Sequence, residues 1–200
     1  MILDKSWIPK DNELNLDVSN LPEPTVLRFE IEGIKPLLMN PFRPDDKDFS
    51  KKEQSGNLSP KQCAEHRLIM KNNKIGIPNT YIHRMMEQSS TNFTLEGKGK
   101  KTYKDIIRGY VSIEPEFIEL KNAKWVTNSR GVVIKATKGR IMRHRPEVIE
   151  YKAVFDAVIK DPLVNIQKIV NIVQYGGDRI GVGDDRPKYG LFKVTQVKKV

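Results

Sequence analysis

A single cysteine, Cys63, stands in 200 residues. It excludes an intramolecular disulfide framework and a cysteine-built zinc cage, and it suits a reducing compartment. Histidine is almost as scarce. No two of His66, His83 and His144 have metal-ligand spacing. There is no Walker A sequence and no nucleophile elbow. No apolar run approaches the roughly 18–20 residues that span a bilayer. The start, MILDKSWIPKDNE, lacks the basic opening and apolar middle of a signal peptide. The expectation is a soluble cytoplasmic protein that uses neither cofactor nor metal. Acidic residues are in deficit, 25 against 35 Lys and Arg, giving a net charge of +10 and a pI near 9.6. A polyanion is therefore the expected kind of partner. A hydrophobic content of 38% is enough for a core, and the length fits one domain.

The charge is unevenly placed. Residues 1–24 hold Asp4, Asp11, Glu13, Asp17 and Glu23 against Lys5 and Lys10, a net of −3, so the remainder carries +13. Pro22 and Pro24 close this stretch. It reads as an extended N-terminal arm that docks on a neighbouring subunit, or as a disordered terminus. Two runs concentrate the positive excess. Lys135, Lys138, Arg140, Arg143 and Arg145 fall in eleven residues with His144 and no acid. Lys98, Lys100, Lys101 and Lys104 are interleaved with Gly97 and Gly99. Glycine beside a cation lets backbone approach a phosphate while the side chain neutralises it. Either run alone reads equally well as a solvated loop, and two of them shift the reading towards nucleic acid.

Patterning gives the elements. TVLRFEIEGI at 25–34 alternates, with Leu27, Phe29 and Ile31 on one face. Residues 40–58 read as a long loop. Ser59-Pro60-Lys61-Gln62 has the capping-box pattern of a helix start. Residues 67–77 read as a hairpin turning at Asn72-Asn73. Asn79 is expected to cap a helix to about Gln88, and residues 103–108 a helical turn stopped by Gly109. Short β-runs follow at 110–120 and 124–134. The clearest strand is 149–159, with Ile149, Tyr151, Ala153, Phe155, Ala157 and Ile159 on one face. Asp161-Pro162 opens a helix that Gly176-Gly177 should end, and 190–197 is the last strand. The strong elements run strand, helix, strand, strand, helix, strand. That order predicts an α+β protein with a ferredoxin-like, RRM-like βαββαβ core. The aromatic stacking sub-motif of RNA-recognition domains is absent, so the fold alone does not give the function.

Three segments, in order, resemble the RAMP superfamily, the repeat-associated proteins of CRISPR systems. Ile77-Pro78-Asn79-Thr80-Tyr81-Ile82-His83-Arg84 is similar to that family's IPGSSLKGALR-type start of its first helix, with Asn79 in place of the usual Gly. The basic 135–145 segment sits where the family often carries RNA-contacting hairpins. Residues 181–192, GVGDDRPKYGLF, resemble its glycine-rich loop followed by a strand. The resemblance covers most of residues 25–200, read as a single domain with insertions at about 40–76 and 91–145. It implies a non-catalytic backbone subunit that polymerises head to tail along single-stranded guide RNA. Its other partners would be further subunits of a ribonucleoprotein and the target strand. The implied contact residues are Lys98, Lys100, Lys101, Arg130, Lys135, Lys138, Arg140, Arg143, His144, Arg145, His83, Arg84, Gly181, Gly183 and Arg186. Gly181 and Gly183 would form an anion-binding nest of N–H groups. The alternatives are an endoribonuclease of the same fold, acting through His144 or an Asp among Asp45, Asp46 and Asp48, and a phage single-stranded-DNA-binding or annealing protein.

Overall fold

The computed structural model describes residues 23–41, 43, 47–133, 138–161 and 163–200. The acidic N-terminal stretch up to Pro22, with Asp45, Asp46, Lys135 and Pro162, lies outside the described residues. Strand β1 (Thr25–Gly33) has the expected alternation. Leu27, Phe29 and Ile31 are buried, and Arg28 is exposed on the other face. It pairs antiparallel with β7 (Arg140–Ile159), from Thr25↔Ile159 to Glu32↔Lys152. This register stacks Phe29 on Phe155 with ring centroids 5.3 Å apart. The other edge of β1 pairs with β8 (Phe192–Lys199). Strands β5 (Val111–Glu114) and β6 (Phe117–Val133) pair one after the other with the far edge of β7. β2 (Leu37–Leu38) also pairs with β7, and β4 (Lys74–Pro78) and β3 (Met70–Lys71) extend the sheet beyond β6. Among the described residues, eight strands thus form one sheet in the order β3-β4-β6-β7-β1-β8, with every pairing antiparallel.

Helices α3 (Asn79–Ser90) and α5 (Ile166–Arg179) bury Ile82, Met85, Met86, Ile169, Ile172 and Val173 in the same core as Phe29 and Phe155. The opposite sheet face is tiled by ion pairs. Asp156 takes a two-pronged contact from Arg28, and Glu32 meets both Lys152 and Lys193. Two cations beside one carboxyl hold Glu32 below its ordinary pKa. Helices α1 (Lys47–Gln54) and α2 (Pro60–Arg67) lie between β2 and β3, and α4 (Lys104–Tyr110) precedes β5. Ser59 caps α2 through the expected reciprocal box with Gln62. Asn72 and Asn73, both at positive φ, turn the β3–β4 hairpin. No helix among the described residues is long and apolar enough to cross a membrane.

Several sequence expectations are corrected. The loop at 40–58 contains α1. Asn79 does not cap α3: it is the first helical residue, and its amide Nδ2 donates to Ile113 O at 2.7 Å. Helix α4 runs through Gly109 to Tyr110. The cap of α5 is Asn165, whose side chain accepts from Lys168 N, and the helix passes through Gly176 and Gly177. Those glycines serve close packing rather than termination. A Cβ at Gly176 would strike the Met85 sulfur, and one at Gly177 would sit 2.5 Å from Phe192 O. Ile149 leaves the buried face and is exposed. The pairing of β6 with β7 slips between Lys121 and Trp125, with Asn122 at positive φ, so the buried phase of β7 shifts between Val148 and Tyr151.

Candidate nucleic-acid interface

The β-run expected at 124–134 is strand as far as Val133, and the described part of the basic 135–145 segment is strand from Arg140 rather than a solvated loop. They are the two sides of one long hairpin, paired from Trp125↔Val148 to Val133↔Arg140. Past Glu147 no third strand pairs with the hairpin among the described residues, so it extends as an arm about 23 Å beyond the sheet. The basic side of this hairpin carries no apolar alternation, so its pattern gives a loop.

The arm's cations divide by burial. Lys138, at positive φ before β7, and Arg140 are exposed and have no carboxylate partner among the described residues. Arg143 is half-buried and lies 3.8 Å from Glu53 of α1. Arg145 is buried and pairs with Asp184 at 2.6 Å. Arg130, opposite Arg143, stacks over the Tyr189 ring and lies 3.8 Å from Asp185. Asn128 donates to Glu147 and to the Tyr189 hydroxyl. Buried Arg67 donates to Glu53 and to His144 O. Arg145 and Arg130 are therefore struts that fix the arm's base to the loop after α5, and Arg67 braces it from α2. The sequence reading took the glycines and Arg186 of that loop as the functional signal and passed over Asp184, Asp185 and Tyr189.

In the loop itself, the Gly181 N–H of the expected anion nest is engaged within the chain. Gly181 N–H closes α5 on Gly176 O, Val182 N–H donates to Gly190 O, and Asp184 N–H donates to Leu38 O. These amides are committed within the chain. Gly183 is required instead by a φ of +84° and by proximity: a Cβ there would lie 2.6 Å from Leu38 O. What the loop does present is charge. Arg186 is exposed, its guanidinium donating to Gly181 O at 3.3 Å. With Arg179 of α5, Gln88 of α3, and Asp184 and Asp185 of its own loop, it lines a polar cleft of about 370 Å³. Arg84 lies one helical turn before Gln88 on the same side of α3. Burial pushes the nearby Tyr81 phenol up, and Asp184 adds to the effect while Arg84 and Arg186 oppose it. Arg179 is absent from the sequence-based candidates, because no local signal marks it.

The remaining candidates fall elsewhere. His83 Nε2 lies 3.2 Å from Ile107 O and braces α3 against α4. His144 Nδ1 is hydrogen-bonded to Ser129 Oγ across the arm at 2.7 Å. Lys98, Lys100 and Lys101 are exposed in a loop tied by Leu95 N–H to Lys101 O. That loop meets α5 near its first turn, through Lys168 and Glu96, whereas Arg179 and Arg186 lie at its last turn. The two basic strips are thus separated by the length of α5, about 20 Å. Asp48 is exposed on α1. Among the described residues no cluster of three or more His, Cys, Asp or Glu could hold a metal ion.

The architecture has a solved counterpart. A chain of the Type III-B Cmr-beta complex bound to cognate target RNA superposes with a TM-score of 0.58 at 14% identity, over 89% of this chain and 61% of that one. The likeness is one of fold, and this chain spans about three fifths of its counterpart's length. A chain of a Type IV-B CRISPR complex matches at a TM-score of 0.42 and 10% identity, over 86% of this chain and 90% of that one. No family model and no curated protein sequence matches. Chemically, the arm tip and the Arg84–Arg179–Arg186 cluster present exposed guanidinium and ammonium groups to solvent. Such groups suit phosphate oxygens, with arginine able to bind in a two-pronged manner.

Proposed function

We infer that this chain is a non-catalytic, single-stranded RNA-binding subunit of a CRISPR-type ribonucleoprotein, built on a ferredoxin-like core. The βαββαβ reading is supported by the sequence β1, α3, β5/β6, β7, α5, β8 and by the strand order β8-β1-β7-β5/β6 with both helices on one face. The observation that carries RNA binding is the projecting basic arm. Lys138 and Arg140 near its tip have no carboxylate partner among the described residues, while its base is locked to the body by Arg145–Asp184 and Arg67–His144 O. A rigid base with a free, charged tip holds phosphates in a fixed place without reading bases. The likeness to a chain of an RNA-bound Type III-B complex supports the class of assembly. Copies would join head to tail, a contact that continues into a filament along the strand.

The test is the nucleic acid that accompanies the full chain on purification. The expected result is material destroyed by ribonuclease and resistant to deoxyribonuclease, with added labelled RNA bound but uncut. Nucleic-acid-free protein, deoxyribonuclease-sensitive material, or cleavage lost in His144→Ala would overturn the reading.

A further inference from the structure

Among the described residues, the ion-paired face of the sheet is interrupted by the aromatic ring of Phe117. Phe117 begins β6, and Phe117, Glu119 and Lys121 alternate with buried Ile118 and Leu120. They therefore point away from the core, towards the same side as Lys152 and Val154. The neighbouring strand has Gly76, and a Cβ there would run into the Phe117 ring. The glycine is the floor on which the ring lies, so its opposite side is left for something else to cover. Phe117 is the wall shared by two clefts. One, of about 320 Å³, is rimmed by Lys71, Lys74, Lys121 and Val154. The other, of about 400 Å³ and largely apolar, runs past Arg43 and Ile69 to Tyr81. Tyr81 in turn adjoins Arg84 and Arg186.

We propose that Phe117 is a base-stacking platform, on which one base of a single-stranded nucleic acid lies while its flanking phosphates meet Lys71 and Lys121. Charge complementarity selects this occupant. Lys74 is engaged by Glu119 at 2.7 Å, but Lys71 and Lys121 are exposed and have no carboxylate partner among the described residues. A half-buried ring between exposed ammonium groups is what an unstacked base with a phosphate on each side requires, and stacking is indifferent to base identity. The second cleft would carry the strand on to Tyr81 and the arginine cluster. The inference rests on the single-strand-binding reading above and adds a contact to bases that the arm does not provide.

The experiment compares the full chain and its Phe117→Leu and Phe117→Tyr variants on a normal single-stranded RNA and on an abasic strand of equal length. Phe117→Leu keeps the apolar bulk and removes the π-face. The expected result is a loss of about tenfold or more in affinity for the normal RNA with Phe117→Leu. Near-wild-type binding is expected for Phe117→Tyr, and no effect of either change on the abasic strand. Equal binding of normal RNA by wild type and Phe117→Leu, with salt-sensitive binding retained, overturns the platform and leaves the arm's role standing. Wild-type protein that binds neither strand overturns both.

Discussion

Arg140 and Arg145 lie five positions apart on the same strand and carry the same charge, yet their surroundings assign them opposite work. Arg145 is buried against Asp184, and removing its side chain leaves that carboxylate facing a gap. Arg145→Ala should therefore lower unfolding stability by about 2–3 kcal/mol, less than the ~3–5 of a fully buried pair because Asp184 is partly exposed. Arg140→Ala, at an exposed site with no partner among the described residues, should change stability by no more than about 0.5 kcal/mol. Denaturant titration of the two variants separates them. Equal effects would mean that the arm is not anchored through Asp184. The sequence shows a run of like charges but no feature that distinguishes the two arginines. The distinction depends on Asp184, 39 positions away, and on a loop path set by Gly183 and Gly190.

At the scale of elements, what could be read from the chain was whatever its neighbours in sequence decide. The alternation of Leu27, Phe29 and Ile31, the Ser59–Gln62 box and the Asn72-Asn73 turn are local, and each is where the pattern places it. Gly176-Gly177 is the instructive failure. Locally the pair reads as a helix stop, but its cause is tertiary: α5 approaches Met85 of α3 and the backbone of β8 too closely for any side chain. The usual helix rule would have Gly177→Ala gain about 1 kcal/mol. Here the Cβ meets a backbone carbonyl that cannot step aside, so the account expects a net loss of about 1–2 kcal/mol. A rise in melting temperature would contradict this packing. The Arg140–Arg145 side of the arm shows the converse, since a strand without a buried apolar face leaves no period to find.

For the molecule as a whole, the excess of positive charge proves to be distributed by architecture. The open sheet face is neutralised by Arg28–Asp156 and by Glu32 with two lysines. Among the described residues, exposed cations without a carboxylate partner remain at the arm tip, around Arg84, Arg179 and Arg186, on the Lys98–Lys101 loop at the far end of α5, and at Lys71 and Lys121 beside Phe117. Net charge could indicate a polyanion but not these places, because their separation follows from the length of α5 and from the β6–β7 pairing that carries the arm. The central claim is that the arm tip grips the backbone of a single strand. The most direct measurement is the affinity of the full chain for single-stranded RNA as a function of salt, for wild type and for Lys138→Ala/Arg140→Ala. The account predicts a steep fall in affinity with salt, and a log–log slope shallower by about 1.4 in the double variant, roughly 0.7 per phosphate contact removed. A flat salt response in the wild type, or an unchanged slope in the variant, would contradict it.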